Sequence, residues 1–255
     1  MASEGGKVAG LRALGGFASV PPFVVFSGEG LDRAEIAKAV ARGGVRPPFA
    51  VRSSADVEDG EAAAFAGMFE TKLRVEPEGL LEAVREVADS VSSERLDAYL
   101  EAAGVASRQP QRMHVIVQSM VDSRVSGVCA SRLPEDIADG ASIEAVFGLG
   151  ELLVSGAVEP DLYRVDRSNR AVENVRIGNQ VLQLSLRGGE HLVAVNLRLS
   201  AKLTPLEAVA VAEIAFEAEE RFGWAAADIE WAYEGEKLWA LQARPVASMV
   251  ERSRP

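Results

Sequence analysis

One cysteine, two histidines and no run of basic residues set the first limits on this chain of 255 residues, whose formal net charge is −11. A lone thiol, Cys129, forms no internal disulfide, and its place in the apolar run from Val125 to Ala130 reads as a buried structural thiol. His114 and His191 are isolated in apolar, strand-like runs, so no His/Cys cluster has metal-ligand spacing and a structural role is expected for both. The acidic balance disfavours general nucleic-acid binding, which draws most of its affinity from neutralised phosphates. An anionic ligand therefore requires a locally basic site. The longest apolar runs, such as Phe23 to Phe26, fall far short of a bilayer span, and no membrane association is expected. Between Met1 and Lys7 there is no basic stretch leading into an apolar core, so no secretory signal is read and a cytoplasmic protein is expected.

What is present alternates helix and strand signals from the start. Lys7 to Leu14 and Leu31 to Ala41 read as helices, and Phe23 to Ser27 and Phe49 to Arg52 as strands. Leu80, Val84, Val87 and Val91 recur at spacings of four and three, which predicts a helix over 78–100, broken near Ser92-Ser93. From Met113 onward strands dominate, separated by Gly, Asn or Asp turn signals, and predict a largely antiparallel sheet. Thr204-Pro205-Leu206-Glu207 combines a hydroxyl N-cap, a first-turn proline and a glutamate at the third helical position, and predicts a helix running to about Arg221. Two strands joined by Glu234-Gly235-Glu236 follow, and 247–255 read as a frayed tail or linker. The expected class is α+β, with one lobe over 1–112 and a second over 113–246.

Most motif tests fail. Gly148-Leu149-Gly150-Glu151 lacks the third glycine of a dinucleotide fingerprint, and Gly5-Gly6-Lys7 lacks the rest of a Walker loop. Glu151 reads as a helix-start carboxylate or as a group orienting a ribose or a metal-bound water. The acidic run Asp56, Glu58, Asp59 reads as a solvated turn, and Trp224, Trp231 and Trp239 as packing residues. The last hairpin, DIEWAYEGEKLWALQARPV over 228–246, is more specific. Strand alternation puts Asp228 with Glu230 on one face, and Gln242 with Arg244 on one face of the returning strand. A carboxylate, an amide oxygen and a guanidinium suit Mg²⁺ bridging phosphates, although a solvated sheet face has the same residue types.

Five segments in order carry a resemblance: GGKVAGLRALGGFASVPPFVV, FAVRSSADVEDGEAAAFAGMFET, VIVQSMVDSRVSGV, IEAVFGLGELLVSGAVEPDLYRVDR and the final hairpin. Together they resemble the N-terminal ATP-binding domain of the phosphoenolpyruvate synthase, pyruvate phosphate dikinase and rifampicin phosphotransferase superfamily. The resemblance implies an ATP-grasp fold in which two α+β lobes clamp ATP. It implies that Lys7 and Arg52 contact phosphates, that Gly67 and Thr71 belong to a phosphate-covering loop, and that Gln118 with the backbone of Met120 and Val121 holds the adenine edge. It also implies that Glu230 and Gln242 associate with Mg²⁺, and that Arg244 is the last phosphate-binding arginine, with Arg52 and Arg244 assisting transfer.

The resemblance further implies phosphoryl transfer to a histidine on a separate, swivelling partner. A kinase acting directly on a small-molecule acceptor and a non-catalytic nucleotide-binding subunit are the alternatives. There are departures from the family pattern. Only a short stretch separates VPPFVV from FAVRSS, which implies a reduced N-terminal lobe; Ala64 stands where a serine is common, and Phe147 where a tryptophan is. All eight matched site residues are nonetheless present, which favours an active phosphotransferase.

Overall fold

The computed structural model describes residues 6–27, 31–55, 71–90, 113–132 and 139–246. The chain divides into two compact units, Met1–Ala9 with Pro21–Met120, and Gly10–Val20 with Val121–Pro255. Helix α1, Gly6–Leu14, contributes its first residues to the one and the rest to the other.

The first unit is built on four antiparallel strands: β1 (Phe23–Ser27), β2 (Phe49–Ala55), β3 (Thr71–Val75) and β4 (Met113–Ser119), in the order β1-β4-β2-β3. Helices α2 (Arg33–Arg42) and α3 (Leu80–Asp89) cover one face. Their Ile36, Val40, Val84 and Val87 meet Phe49, Val51, Val115 and Val117, the alternate residues of β2 and β4, in one apolar core. Helix α2 starts in a capping box between Asp32 and Glu35. The helix expected over 78–100 is described as α3 up to Asp89; its continuation and the break near Ser92-Ser93 lie outside the described residues. Strand β4 belongs to this unit because it bonds to β1 on one side and β2 on the other, so the division falls at Met120, not at the expected 112/113.

The second unit carries six antiparallel strands: β5 (Val125–Ala130), β6 (Gly140–Phe147), β7 (Asp161–Asp166), β8 (Val172–Arg176), β11 (Ala227–Glu234) and β12 (Lys237–Pro245), in the order β12-β11-β5-β6-β7-β8. A hairpin of β9 (Leu182–Ser185) and β10 (Gly189–Leu192) stands beside it, and α4 (Glu151–Val154) is a single turn. Helix α5, Pro205–Phe222, opens with the expected Thr204/Glu207 capping box and closes on Gly223 at φ 65°. Its Ala208, Val211, Ala212, Ala215 and Phe216 pack on Ile143, Ile229, Trp231 and Tyr233, which fill one sheet face. Trp231 and Cys129 are fully buried, and Trp224 packs at the margin against Phe222. His191 lies in the exposed strand β10, where its ring is held by Gln183 and the Gly189 carbonyl, as a structural histidine would be. No helix among the described residues is long and apolar enough to cross a membrane.

Candidate functional site

In the first unit, the register of the sheet collects three of the expected residues on one face. Arg52 pairs with Ile116 of β4 and Thr71 of β3, while Gln118 pairs with Ala50 of β2 and Phe23 of β1. Cross-strand partners share a face and alternate residues change it, so Arg52, Thr71 and Gln118 lie on the side away from α2 and α3. Helix α1 starts against the same strand. The Lys7 Nζ donates to the Ser53 carbonyl at 3.2 Å, and the Val8 N–H donates to Ser54 Oγ at 3.3 Å. Lys7 is thereby held one residue from Arg52. Gln118 is only 2 % exposed, and its Nε2 has no hydrogen-bond partner among the described residues. A buried amide donor left open is costly, and it fits a position that a ligand completes.

The segment leaving β4 is anchored from three sides. Ser119 N–H donates to the Pro22 carbonyl, Met120 N–H to the Pro48 carbonyl, and Arg74 N–H to the Met120 sulfur at 3.0 Å. Arg74 sits in a bulge of β3 with φ 56°, a left-handed conformation rare for a residue with a side chain. Gly67, Asp56, Glu58 and Asp59 lie outside the described residues.

In the second unit, β11 and β12 pair Asp228 with Arg244 and Glu230 with Gln242. Ile229 and Trp231, between them in sequence, point into the α5 core, so these four side chains share the opposite face. Arg244 donates from Nε and Nη2 to Asp228 Oδ2, at 2.8 and 2.7 Å. Gln242 is buried and Glu230 half-buried. A bulge after Glu230 shifts the register, which continues from Trp231 opposite Ala240. Behind the pair, on the core side, burial pushes the Cys129 thiol far up from its ordinary range, and the charge of Asp228 adds to the shift.

Asp228 was expected on this face but not as the partner of Arg244, and Glu144 was not expected there. Asp228 holds Arg244, a pairing that depends on register. Glu144 of β6 lies on the same face as Glu230, with Val128 of β5 between them. The alternation of Ser142 to Phe147 carried the signal for Glu144, but the neighbouring strand could not be assigned from it. The Gly-Leu-Gly-Glu stretch has a packing explanation. Gly148 adopts φ 79° where a Cβ would come within 2.3 Å of the Leu184 carbonyl oxygen, and Glu151 begins α4.

Residues 33–254 match the family described as pyruvate phosphate dikinase, AMP/ATP-binding domain. The chain belongs to this family. Each of its two units mixes helix and sheet, in the α+β class expected. A rifampicin phosphotransferase of Streptomyces sviceus is 34% identical over 218 residues, covering 84% of this chain. A probable phosphoenolpyruvate synthase of Archaeoglobus fulgidus is 36% identical over 207 residues, covering 78% of it. The chain spans only 25% and 27% of the lengths of these two relatives.

Proposed function

We propose that this chain binds Mg·ATP and supplies the nucleotide half of a phosphotransferase, passing a phosphoryl group to a histidine on a swivelling partner domain. The carrying observation is the register of β11 and β12, which sets Glu230 opposite Gln242 and Asp228 opposite Arg244 on the face free of α5. A carboxylate and an amide oxygen directly across from each other are hard oxygen donors, the type Mg²⁺ takes alongside phosphate oxygens and water. No group of three or more His, Cys, Asp or Glu side chains is placed to hold a metal among the described residues. Held at Glu230 and Gln242, Mg²⁺ would neutralise charge on the transferring phosphate.

In this reading Arg244, oriented by Asp228, grips phosphate oxygens with a guanidinium fork. Lys7 and Arg52 add cations that offset the triphosphate in a chain of net charge −11. Thr71 lies beside Arg52 at the start of β3, at the end of the stretch containing Gly67, in keeping with a phosphate-covering loop. Gln118 and the backbone of Met120 and Val121 take the adenine. The chain's own histidines lie in sheet strands, so the acceptor is sought on another domain.

The test is titration with ATP in the presence and absence of Mg²⁺, read as a melting shift, followed by product analysis with candidate partners. ATP raises the melting temperature, more so with Mg²⁺, because a ligand that binds only the folded state stabilises it. Arg52→Ala and Glu230→Gln weaken that shift. Transfer through phosphohistidine releases AMP, whereas ADP as product would move the assignment to direct phosphorylation of a small acceptor. No shift with ATP at saturating Mg²⁺ would remove the proposal altogether.

A further inference from the structure

Helix α1 begins without a side-chain cap of its own. The first four N–H groups of a helix have no partner within it, and a side-chain oxygen on the residue just before the helix normally takes one of them. In this chain that residue is Gly5, which has no side chain, and the helix opens with Gly6. Strand β2 supplies an acceptor from 46 positions along the chain: the Val8 N–H donates to Ser54 Oγ at 3.3 Å. Val8 and Ser54 are both fully buried, so the bond is out of reach of solvent. Ser54 lies on the same sheet face as Arg52, two residues earlier in β2. Between them, Ser53 turns its side chain to the α2 and α3 side and offers its carbonyl, to which the Lys7 Nζ donates at 3.2 Å. Three consecutive residues of β2 thus present a guanidinium, a grip on the lysine ammonium, and a grip on the helix that carries the lysine.

We propose that Ser54 is a positioning residue: its hydroxyl caps α1 from strand β2 and so fixes where the Lys7 ammonium meets the phosphates of the nucleotide. This rests on the nucleotide site proposed above. Lysine carries its charge on a flexible four-carbon stem, so its contact with an anion is only as well defined as the backbone it hangs from. The residue next to Lys7 is the one that Ser54 holds. Loss of the cap loosens the first turn of α1, and the ammonium then spends time away from Arg52, which dilutes its attraction for phosphate oxygens. The Ser53 carbonyl does not replace the cap, because it restrains the tip of the lysine side chain and not its root. When a nucleotide binds, the ammonium exchanges that neutral carbonyl for an anionic phosphate oxygen, the stronger acceptor, while the helix stays in place. Ser54 itself touches neither phosphate nor metal in this reading and acts through Lys7.

The experiment makes two measurements on the full chain. Mass spectrometry follows the rate at which an amine-acetylating reagent modifies Lys7 without nucleotide, and calorimetry gives the dissociation constant of ATP with Mg²⁺. In Ser54→Ala, Lys7 is expected to react several-fold faster, while the exposed Lys38 keeps its rate and the fully buried Lys202 stays unmodified, which shows that the variant is folded. ATP binding weakens by about five- to tenfold, the size of losing one cap. In a Lys7→Met background, where there is no ammonium to place, Ser54→Ala changes ATP affinity by less than about twofold. Should Lys202 become modified in Ser54→Ala, Ser54→Cys, which keeps the volume with a weaker acceptor, is judged by the same criteria. An unchanged Lys7 rate overturns the inference. So does an ATP loss that multiplies in full with that of Lys7→Met, since Ser54 would then act independently of the lysine. If the unaltered chain binds no ATP, the function proposed above fails, and the Lys7 rate still decides separately whether Ser54 holds the lysine.

Discussion

Lys202→Met is the most informative stability test the structure offers. The side chains of Lys202 and Asp161 are both fully buried, with the Lys202 Nζ 2.7 Å from Asp161 Oδ1. Lys202 Nζ also donates to the Gly178 carbonyl at 2.9 Å. Asp161 accepts three further bonds, from the N–H groups of Gly178 and Lys202 at 2.9 Å each and from the Tyr163 hydroxyl at 2.8 Å. The cluster fastens the segment before α5 to β7, on the sheet face that α5 covers.

Methionine keeps most of the lysine volume but leaves a carboxylate buried without its counter-ion. Breaking such a pair costs about 3–5 kcal/mol. The three remaining donors hold the loss near the lower end, about 3 kcal/mol, because charge-assisted bonds to a carboxylate stay in place. For a unit of this size each kcal/mol shifts the midpoint by about 2–4 °C, so a drop of roughly 6–12 °C is expected. Thermal melts and urea titration measure it. Asp161→Asn combined with Lys202→Met removes both charges and recovers part of the loss. ATP affinity stays unchanged at temperatures where the variant is folded, since the pair lies on the opposite face from Glu230 and Gln242. A loss below about 1 kcal/mol, or a double variant no better than the single one, refutes the reasoning.

Gly148→Ala places a Cβ 2.3 Å from the Leu184 oxygen at φ 79°; it should cost more than the roughly 1–2 kcal/mol of a left-handed residue alone, and an unchanged urea midpoint would contradict the packing argument. Arg74→Gly should melt no lower than the parent, whereas Arg74→Val should lose roughly 1–2 kcal/mol because a β-branched residue is forced to φ 56°. Asp228→Asn should change stability by less than about 1 kcal/mol, the pair being partly exposed, yet weaken Mg·ATP binding several-fold by releasing Arg244; equal affinity would show that Asp228 does not orient it. Cys129 should resist thiol reagents at pH 8 until denaturant is added, since burial keeps the thiol protonated; immediate labelling of the folded chain would count against the buried strand β5.

Local signals in the sequence carried far where the deciding interactions are local. The Thr204 and Glu207 cap needs only residues three apart, and it appears as expected. Strand β1 has the expected bounds, Phe23–Ser27, because a short apolar run there is bracketed by a proline pair and a serine-glycine turn. Sharing of a face by Glu230 with Asp228, and by Gln242 with Arg244, follows from the two-residue period of a strand. The lobe boundary was less accessible: β4 reads as the first strand of the second half, but its hydrogen bonds go to β1 and β2.

By itself, then, the amino-acid order determined the α+β class, the helix starts, the faces of the last hairpin and, through five ordered segments, the nucleotide-binding family. Only the tertiary structure decided which strands are neighbours and in what register. That choice sets Asp228 against Arg244, Glu144 on the face of Glu230, and Ser54 against the start of α1. Register joins residues far apart along the chain, and a slip of one position would turn every one of these side chains to the other face. No local pattern contains that information, because it is fixed by the burial of whole sheet faces under α2, α3 and α5.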